Sequence, residues 1–256
     1  MESKINQLLQ KWPRGTVATA SWLEQQGVYR QLARRYTVSG WLHLCGHGAF
    51  LRSGETVDWL GGLYALQRQL GLSVYAGATT ALSLKGLGQY VPLGDKNPVL
   101  LFGDPHVKLP AWFVNHQWGV PLRYRCPTLF TKPVPASFTD FEHEGFMVRV
   151  SAPERAILEV LHLATTNAAL DEAFELMEGM GTLRPHVLQS LLESCRSVKV
   201  KRLFLWSAET VGHNWFKLLA LNRVSLGKGK RSIYRAGRFD AKYQITVPPQ
   251  KDLPGV

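Results

Sequence analysis

The sequence lacks the features that mark membrane proteins and proteins of oxidising compartments. It has no apolar run of the roughly 18–20 residues that a spanning helix requires, and Met1-Glu2-Ser3-Lys4 does not open a signal peptide. Its three cysteines are odd in number and scattered, which suits free thiols in a reducing cytoplasm. They are Cys45, Cys126 and Cys195. We therefore expect a cytoplasmic protein with no membrane attachment.

The motifs of common enzymes and of nucleotide-binding loops are also missing. No GxSxG, HExxH, paired CxxC, GxxxxGK[ST] or GxGxxG occurs, so the glycines at 77, 86 and 88 are interpreted as turns. His43, Cys45 and His47 alternate and would share one face of a regular strand, but a metal site there would need a fourth ligand. We interpret Cys45 as a small buried apolar residue and expect no metal and no cofactor.

A catalytic site would have to use the few carboxylates in the middle of the chain. The candidates are Asp104, Glu142 and Glu144. No nucleophile or cofactor motif stands beside them, and Glu142-His143-Glu144 is better interpreted as an exposed turn. We predict no catalytic residues and keep a nuclease or transferase as a third hypothesis.

Negative charge is scarce, and the positive charge is unevenly spread. The net charge is +11 and the pI about 9.7, which favours an anionic partner, nucleic acid first and an acidic protein second. Residues 1–54 hold seven basic and two acidic side chains, and residues 196–242 hold twelve and two. Residues 55–195 carry a small negative excess. Two basic blocks therefore flank a mildly acidic middle, and each block needs its own explanation.

The first basic block has the element order of a winged helix-turn-helix. Residues 5–12 predict a first helix, and Thr16-Val17-Ala18 predicts a short strand. Ser21 and Glu24 form a capping box for a second helix, which Gly27 ends in a left-handed conformation. A third helix and a hairpin follow. The hairpin has strands over residues 41–45 and 49–52, joined by Gly46-His47-Gly48.

The third helix carries the candidate DNA-reading surface. Its apolar stripe consists of Val28, Leu32 and Tyr36, so helical periodicity predicts a basic face on the opposite side. Cations there could meet phosphates or guanine edges, although a basic helix face is often only a solvated surface. The predicted opposite face is Arg30, Ala33, Arg34 and Thr37. The predicted DNA-binding residues are Ser21, Arg30, Gln31, Arg34, Thr37, His47 and Arg52.

The rest of the chain predicts a larger mixed α/β domain. Ser53-Gly54-Glu55 is the expected boundary, giving domains 1–54 and 55–256. Helices are expected over residues 57–70, from residue 77, where a threonine would cap the helix, and over 168–180, 185–195 and 199–210. Ser151 is expected to cap a helix that continues to about residue 163.

Short β-prone runs predict a small mixed or antiparallel sheet. They are residues 73–75, 99–102, 112–114, 122–124, 128–130 and 146–150, with a last extended piece at 243–247. The overall fold class is α/β (α+β). The predicted second basic surface consists of Lys199, Lys201, Arg202, Lys228, Lys230 and Arg231.

Several long motifs in order resemble the AbiEi-type antitoxins of type IV toxin–antitoxin systems. They are GVYRQLARRYTVSGWLHLCGHGAFLR, VYAGATTALSLKGLGQYVPLG, LPAWF, QWGV, RVSAPERAILEVL, SVKVKRLFLWSAETVGHNWFKLL and LGKGKRSIYRAGRFDAKYQITVP. The resemblance covers nearly the whole chain. It implies a winged helix that binds inverted repeats in double-stranded operator DNA and represses its own operon.

The resemblance also implies a role for the rest of the chain. A C-terminal α/β domain would counteract a nucleotidyltransferase-like toxin encoded next door, without necessarily forming a stable complex, in a phage-defence system. A monomer that binds DNA cooperatively is expected. The competing hypothesis of a different class is a transcription factor whose second domain senses a small molecule and has no toxin partner. The identity of the neighbouring gene separates the two.

Overall fold

A computed structural model describes residues 3–88 and 98–249. Residues 89–97, which include the end of the predicted motif VYAGATTALSLKGLGQYVPLG, lie outside the described residues, as do 1–2 and 250–256. The described chain forms two compact units. Unit 1 comprises residues 3–76, 98–127 and 140–150, and unit 2 comprises residues 77–88, 128–139 and 151–249. Unit 1 does not end at residue 54, and the division into independent domains 1–54 and 55–256 stays a prediction.

Residues 3–54, called the head below, follow the element order predicted from the sequence. Three strands form an antiparallel sheet in the order β1-β3-β2, and three helices pack around a core that includes Leu8, Trp12, Leu23 and Leu42. Burying such apolar side chains contributes about 1.5–3 kcal/mol each. The elements are α1 (Lys4–Lys11), β1 (Ala18–Thr19), α2 (Ala20–Gln25), α3 (Arg30–Val38), β2 (Leu42–Gly46) and β3 (Ala49–Arg52).

Two local predictions for the head are wrong, and one is confirmed. The cap of α2 is Thr19, whose hydroxyl accepts from the Trp22 N–H, and not Ser21. Ala33 lies buried in the core rather than on the outer face of α3, because it is only about 60° from the core-packed Tyr36 around the helix. Gly27 has φ +76° and ends the α2 turn as expected.

The remainder of unit 1 contributes helices and most of a mixed five-stranded sheet. The sheet order is β6-β5-β4-β8-β7, with β4 antiparallel to β5 and parallel to β8. The elements are α4 (Trp59–Tyr64), a π-helical segment (Ala65–Gln69), β4 (Val74–Ala76), β5 (Val99–Gly103), α6 (Ala111–Asn115), β6 (Leu122–Arg125), β7 (Phe138–His143) and β8 (Phe146–Ser151).

Three sequence predictions for this sheet region fail. Residues 112–114 form helix α6 rather than a strand, because a short apolar run fits either conformation and periodicity cannot decide. Residues 128–130 contribute only an isolated bridge between Phe130 and Cys195. Residues 142–143 belong to strand β7, and the turn lies at Glu144 and Gly145.

Close contacts fix the head against the rest of unit 1. A Cβ on Gly61 of α4 would lie 1.9 Å from the Gly15 carbonyl oxygen. A Cβ on Gly46 of the hairpin would lie 2.8 Å from the Cβ of Trp112 in α6. Both glycines therefore permit backbone approaches that any side chain would prevent. The turn end of the hairpin consequently rests on α6 instead of standing free in solvent.

Two glutamine amides in the π-helical segment act as substitutes for strand pairing. The Gln69 side chain accepts from the Thr19 N–H and donates to the Val17 carbonyl, each at 2.8 Å, at the edge of β1. The Gln67 side chain bonds both the N–H and the carbonyl of Arg149 and also the Val74 carbonyl, so it bridges β8 and β4. Backbone groups at both sheets are thereby satisfied.

Unit 2 is mostly helical. Buried apolar side chains of α7 and α10, including Leu158, Leu161, Leu203 and Phe204, form its core. Its elements are α5 (Ala78–Leu84), α7 (Pro153–Leu163), α8 (Asn167–Glu178), α9 (Pro185–Ser194), α10 (Val198–Val211), β9 (Arg238–Asp240) and β10 (Ile245–Val247). The last two strands pair antiparallel.

A buried carboxylate replaces the side-chain caps that the sequence predicts in unit 2. Glu159 accepts from the Ala78 N–H at 3.0 Å, so it serves the start of α5 where a threonine cap is predicted. The Ser151 hydroxyl donates to the same carboxylate at 2.9 Å rather than capping α7. The partner is 81 residues from Ala78 and therefore invisible to local sequence patterns.

The architecture is mixed α/β, as predicted. Among the helices built by the described residues, none combines the length and apolar character needed to cross a bilayer.

Candidate nucleic-acid interface

Helix α3 presents its cations to solvent. Arg30 and Arg34 are exposed, as are Gln31 and Arg35, while Ala33 is buried in the core. Helical geometry places Arg30 and Arg34 about 40° apart around the axis, on one side, and Arg35 well away from them. The exposed arginines therefore point in at least two directions, and only one pair can share a partner surface.

A groove separates α3 from the β2–β3 hairpin. Its volume is about 840 Å³, and its residues come from α2, α3 and the hairpin. Arg30, Arg34 and Thr37 line it from α3, and His47 lines it from the hairpin turn. The floor is apolar. It includes Leu23, Val28, Ala33, Leu44 and Phe50.

The structure thus brings together four of the predicted DNA-binding residues and separates the others. Arg30, Arg34, Thr37 and His47 meet at the groove, whereas Ser21 and Gln31 are exposed but do not line it. The Thr37 hydroxyl donates to the Ala33 carbonyl at 3.0 Å. Its methyl group is therefore the part best able to contact a partner.

The edge strand β2 of the hairpin is irregular, and the irregularity changes which of its side chains face outward. A register shift between Leu44 and Gly46 leaves Cys45 buried between exposed His43 and His47, so these three residues do not share a face. Burial raises the pKa of the Cys45 thiol to about 11. His43 instead hydrogen-bonds the Ser53 hydroxyl at 3.1 Å. Cys45 is a packing residue, as predicted.

Arg52 is not available to DNA, and that part of the prediction is wrong. Its side chain donates to the Leu9 carbonyl, lies over the Trp12 ring and approaches Glu55 at 3.6 Å. The residue is only 9% exposed. Burial lowers the pKa of its guanidinium, Glu55 acts in the opposite direction, and Arg14 adds to the lowering. These partners hold Arg52 inside the head.

Two residues of the groove were missed by the sequence analysis. Glu24 lines the groove and puts one negative charge beside the two arginines. Leu44 lines it with 63% of its surface exposed. The strand shift at Cys45 explains why alternation did not predict the exposure of Leu44.

The predicted second basic surface divides into buried and exposed members. Lys201 and Arg202 are 6% and 2% exposed, so their assignment to an exposed surface is wrong. Helix α10 is packed on several sides, and Arg202 finds carbonyl partners in residues 226–244. Lys199 is half-buried and donates to the Ala164 carbonyl, and burial lowers its pKa. Lys228, Lys230 and Arg231 are exposed.

The central carboxylates have structural roles or stand apart. Glu142 accepts from the Gly145 N–H at 2.9 Å and shapes the β7–β8 turn. Asp104 accepts through its backbone carbonyl from the Val107 N–H. Across residues 3–88 and 98–249, no three His, Cys, Asp or Glu side chains gather in a way that could hold a metal ion.

Comparisons with known proteins give the chain a family. The family described as "Transcriptional regulator, AbiEi antitoxin N-terminal domain" matches residues 1–93. The family described as "Transcriptional regulator, AbiEi antitoxin, Type IV TA system" matches residues 96–248. No curated protein matches the chain.

A solved structure supports the fold over nearly the whole length. The crystal structure of the RV2827C protein from Mycobacterium tuberculosis is similar with a TM-score of 0.58, at 16% identity, covering 94% of this chain and 88% of that one. At this identity the similarity supports the fold alone. The two family matches together span the chain, and it belongs to the AbiEi antitoxin family of transcriptional regulators from type IV toxin–antitoxin systems.

Proposed function

We propose that this antitoxin binds operator DNA through the groove between α3 and the hairpin and represses its own operon. The observation that carries the proposal is the exposure of Arg30 and Arg34 on one wall of a groove whose other wall holds His47. In winged helix-turn-helix proteins the helix reads the major groove while neighbouring elements contact the backbone. A DNA strand between α3 and the hairpin would meet the two guanidinium groups on one wall and the His47 imidazole on the other.

The contacts divide by chemistry. Arg30 and Arg34 are suited to phosphates or to the O6 and N7 acceptors of guanine. The Thr37 methyl and Leu44 offer apolar surface that suits a thymine methyl. Glu24 would repel a phosphate placed deep in the groove, so the strand should pass nearer the arginines. His47, at the hairpin turn, is placed to contact backbone.

Inverted repeats are the operator form we propose. Two monomers would each occupy one repeat, and cooperativity between them would sharpen repression. The remaining part of the chain would counteract a nucleotidyltransferase-like toxin in the cytoplasm, without requiring a stable complex, and the pair would serve in phage defence. The family membership supports this half of the proposal.

The experiment that tests DNA binding measures affinity for the upstream region of the operon with full-length variants. Arg30→Ala with Arg34→Ala should weaken operator binding by roughly 30-fold or more, because each base or phosphate contact contributes on the order of 1–3 kcal/mol. Arg35→Ala is the matched control, an exposed arginine of the same helix outside the groove. Equal losses for the control and the double variant would refute the groove as the interface.

A second measurement separates repression from neutralisation. The double variant is co-expressed with the neighbouring gene, and growth and operon transcription are followed together. We expect derepression with rescue of growth retained, because the substituted side chains lie on the head. Loss of rescue at equal protein levels would contradict the assignment of neutralisation to the rest of the chain.

A further inference from the structure

The basic loop at residues 226–231 is built around a buried guanidinium. Arg202 donates to the carbonyls of Leu226, Gly227 and Gly229 at 2.8, 3.2 and 2.7 Å, and to that of Gln244 at 3.1 Å. Gly227 and Gly229 have φ of +63° and +79°, a conformation that costs glycine little. The loop backbone therefore faces inward, and its side chains are left on the outside.

One of those outward side chains lies against an aromatic ring. Lys228, Lys230 and Arg231 are exposed. The Lys230 ammonium lies 5.2 Å from the centre of the Phe239 ring, and the ring's residue is 41% exposed. Phe239 sits on β9 directly opposite Thr246 of β10. These four residues, Lys228, Lys230, Arg231 and Phe239, are called the loop patch below.

Hydrogen bonds hold the loop patch to a fixed frame. The Arg231 N–H donates to the Gln244 carbonyl at 3.0 Å, and the Arg231 carbonyl accepts from the Thr246 N–H at 3.1 Å. The end of the loop thus runs beside β10, which pairs on its other edge with β9. The loop backbone at Arg231 is therefore anchored beside the strand pair that carries Phe239.

The positive charge of the loop patch is not neutralised within the described protein. Among residues 3–88 and 98–249, Lys228, Lys230 and Arg231 form no ion pair with a carboxylate. The neighbouring Asp240 instead accepts from the Tyr243 N–H at 2.8 Å. Burial lowers the pKa of Arg202, and the Arg231 charge adds to this effect. An anionic partner would relieve this concentration of charge.

We propose that the loop patch binds single-stranded nucleic acid, with phosphates on the cations and an unpaired base stacked on Phe239. Exposed aromatic rings beside cationic tracks are how proteins bind single strands, because every base has a face that can stack. A duplex keeps its bases stacked on each other and offers the ring no face. An acidic polypeptide would use the cations and leave the exposed part of the Phe239 ring uncovered. This inference goes beyond operator binding by the head.

The test measures binding of labelled probes to full-length protein carrying Arg30→Ala and Arg34→Ala, so that the head contributes little. The probes are oligouridylate and oligothymidylate of about 15 nucleotides and a duplex of matching length, within the range of known single-strand site sizes. Phe239→Ala should weaken single-strand binding by about 5- to 100-fold and leave duplex binding unchanged. Phe239→Trp should retain single-strand binding.

The cations are tested by salt dependence and by matched controls. Changing Lys228, Lys230 and Arg231 together to glutamine should lower the slope of log affinity against log salt by about 2, since each phosphate contact to a single strand contributes about 0.7. Lys217→Gln with Leu218→Ala is the control, an exposed cation and apolar residue elsewhere in unit 2. Thermal denaturation confirms that each variant is folded.

Three results would overturn the proposal. Phe239→Ala could bind single strands as the parent does, which removes the stacking role. The triple glutamine variant could lose duplex and single-strand binding equally, which makes the patch a general phosphate contact. Poly-L-glutamate could bind while neither single strand does, which makes an acidic protein the partner.

Discussion

Arginines in the two basic blocks have opposite uses. In the head, Arg30 and Arg34 are exposed and line an open groove. In unit 2, Arg202 is 2% exposed and donates to four backbone carbonyls. Residues 196–242 have the larger positive excess, yet part of it organises the protein's own loop. The comparison teaches that the net charge of a block indicates the sign of its partner's charge, whereas burial decides which of its cations can contact that partner.

The same contrast exists inside the head. Arg34 lines the groove, whereas Arg52 is held by Leu9, Trp12 and Glu55. Both were predicted to bind DNA, and only the first is accessible. An inward-facing arginine should therefore affect stability, and an outward-facing one should affect affinity and its salt dependence.

The largest effect is expected from Arg202. Arg202→Ala should lower the free energy of unfolding by about 3–4 kcal/mol, because several carbonyls lose a charged donor at about 1–3 kcal/mol each and water replaces it only in part. Chemical denaturation measures this, and Lys228→Ala is the outward-facing control, expected within about 0.5 kcal/mol of the parent. A loss below about 1 kcal/mol for Arg202→Ala would show that this buried arginine contributes little more to stability than an exposed cation does.

Arg52 should rank next. Arg52→Met keeps apolar contact with Trp12 but removes the donor to the Leu9 carbonyl, and we expect a loss of about 2–3 kcal/mol. The salt slope of operator binding, measured at a temperature where the variant is folded, should remain that of the parent. A reduced slope with unchanged stability would return Arg52 to the DNA interface.

Arg184 is intermediate, because it is partly exposed but pairs with a buried carboxylate. It donates to both oxygens of Glu154 at 2.9 Å. Burial alone would raise the pKa of Glu154, but the hydrogen bonds from Arg184 outweigh it and the pKa is lowered from 4.5. This stabilisation is present above that pH and is lost as the pH falls. Glu154→Gln should cost about 1–2 kcal/mol at neutral pH.

The pH profile is the decisive part of that measurement. The stability gap between the parent and Glu154→Gln should narrow as the pH falls below 4.5, the ordinary value of the carboxyl group. A gap that stays constant across this range would show that lost packing, and not the charged pair, accounts for the cost.

The smallest effect on stability is expected from Arg34. Arg34→Ala should change the free energy of unfolding by less than about 0.5 kcal/mol, as for other exposed sites. If Arg34 contacts a phosphate, the salt slope of operator binding should fall by about 0.9. Measured together, the two quantities distinguish Arg34 from Arg52. A strongly destabilised Arg34→Ala protein would remove that distinction.

Local signals in the sequence were sufficient for the head's framework. Gly27 and the hairpin turn at His47 and Gly48 were predicted because a left-handed glycine and a short turn depend on neighbouring residues. The order of helices and strands followed from apolar periodicity. The same reasoning placed Arg30 and Arg34 on the exposed side of α3.

The features that could not be predicted from the sequence are those in which a buried charged side chain contacts residues far away in the chain. Arg52 contacts Leu9 across 43 residues, and Glu159 serves the start of α5 across 81. No spacing rule connects such residues, so their burial could not be anticipated. The burial of Arg202, in contrast to the exposure of Lys228, also depends on distant partners. The loop carbonyls that bind Arg202 are at least 24 residues away from it in the sequence.

The π-helical segment Ala65–Gln69 makes the positions of Gln67 and Gln69 depend on the number of residues in this stretch. Its extra residue in the turn lets Gln67 and Gln69 reach two different sheets. Deleting one residue would restore ordinary α-helical winding and rotate the later amide by about 100°. Functional relatives should therefore tolerate substitutions around these glutamines far better than insertions or deletions, and alignment gaps should avoid this segment.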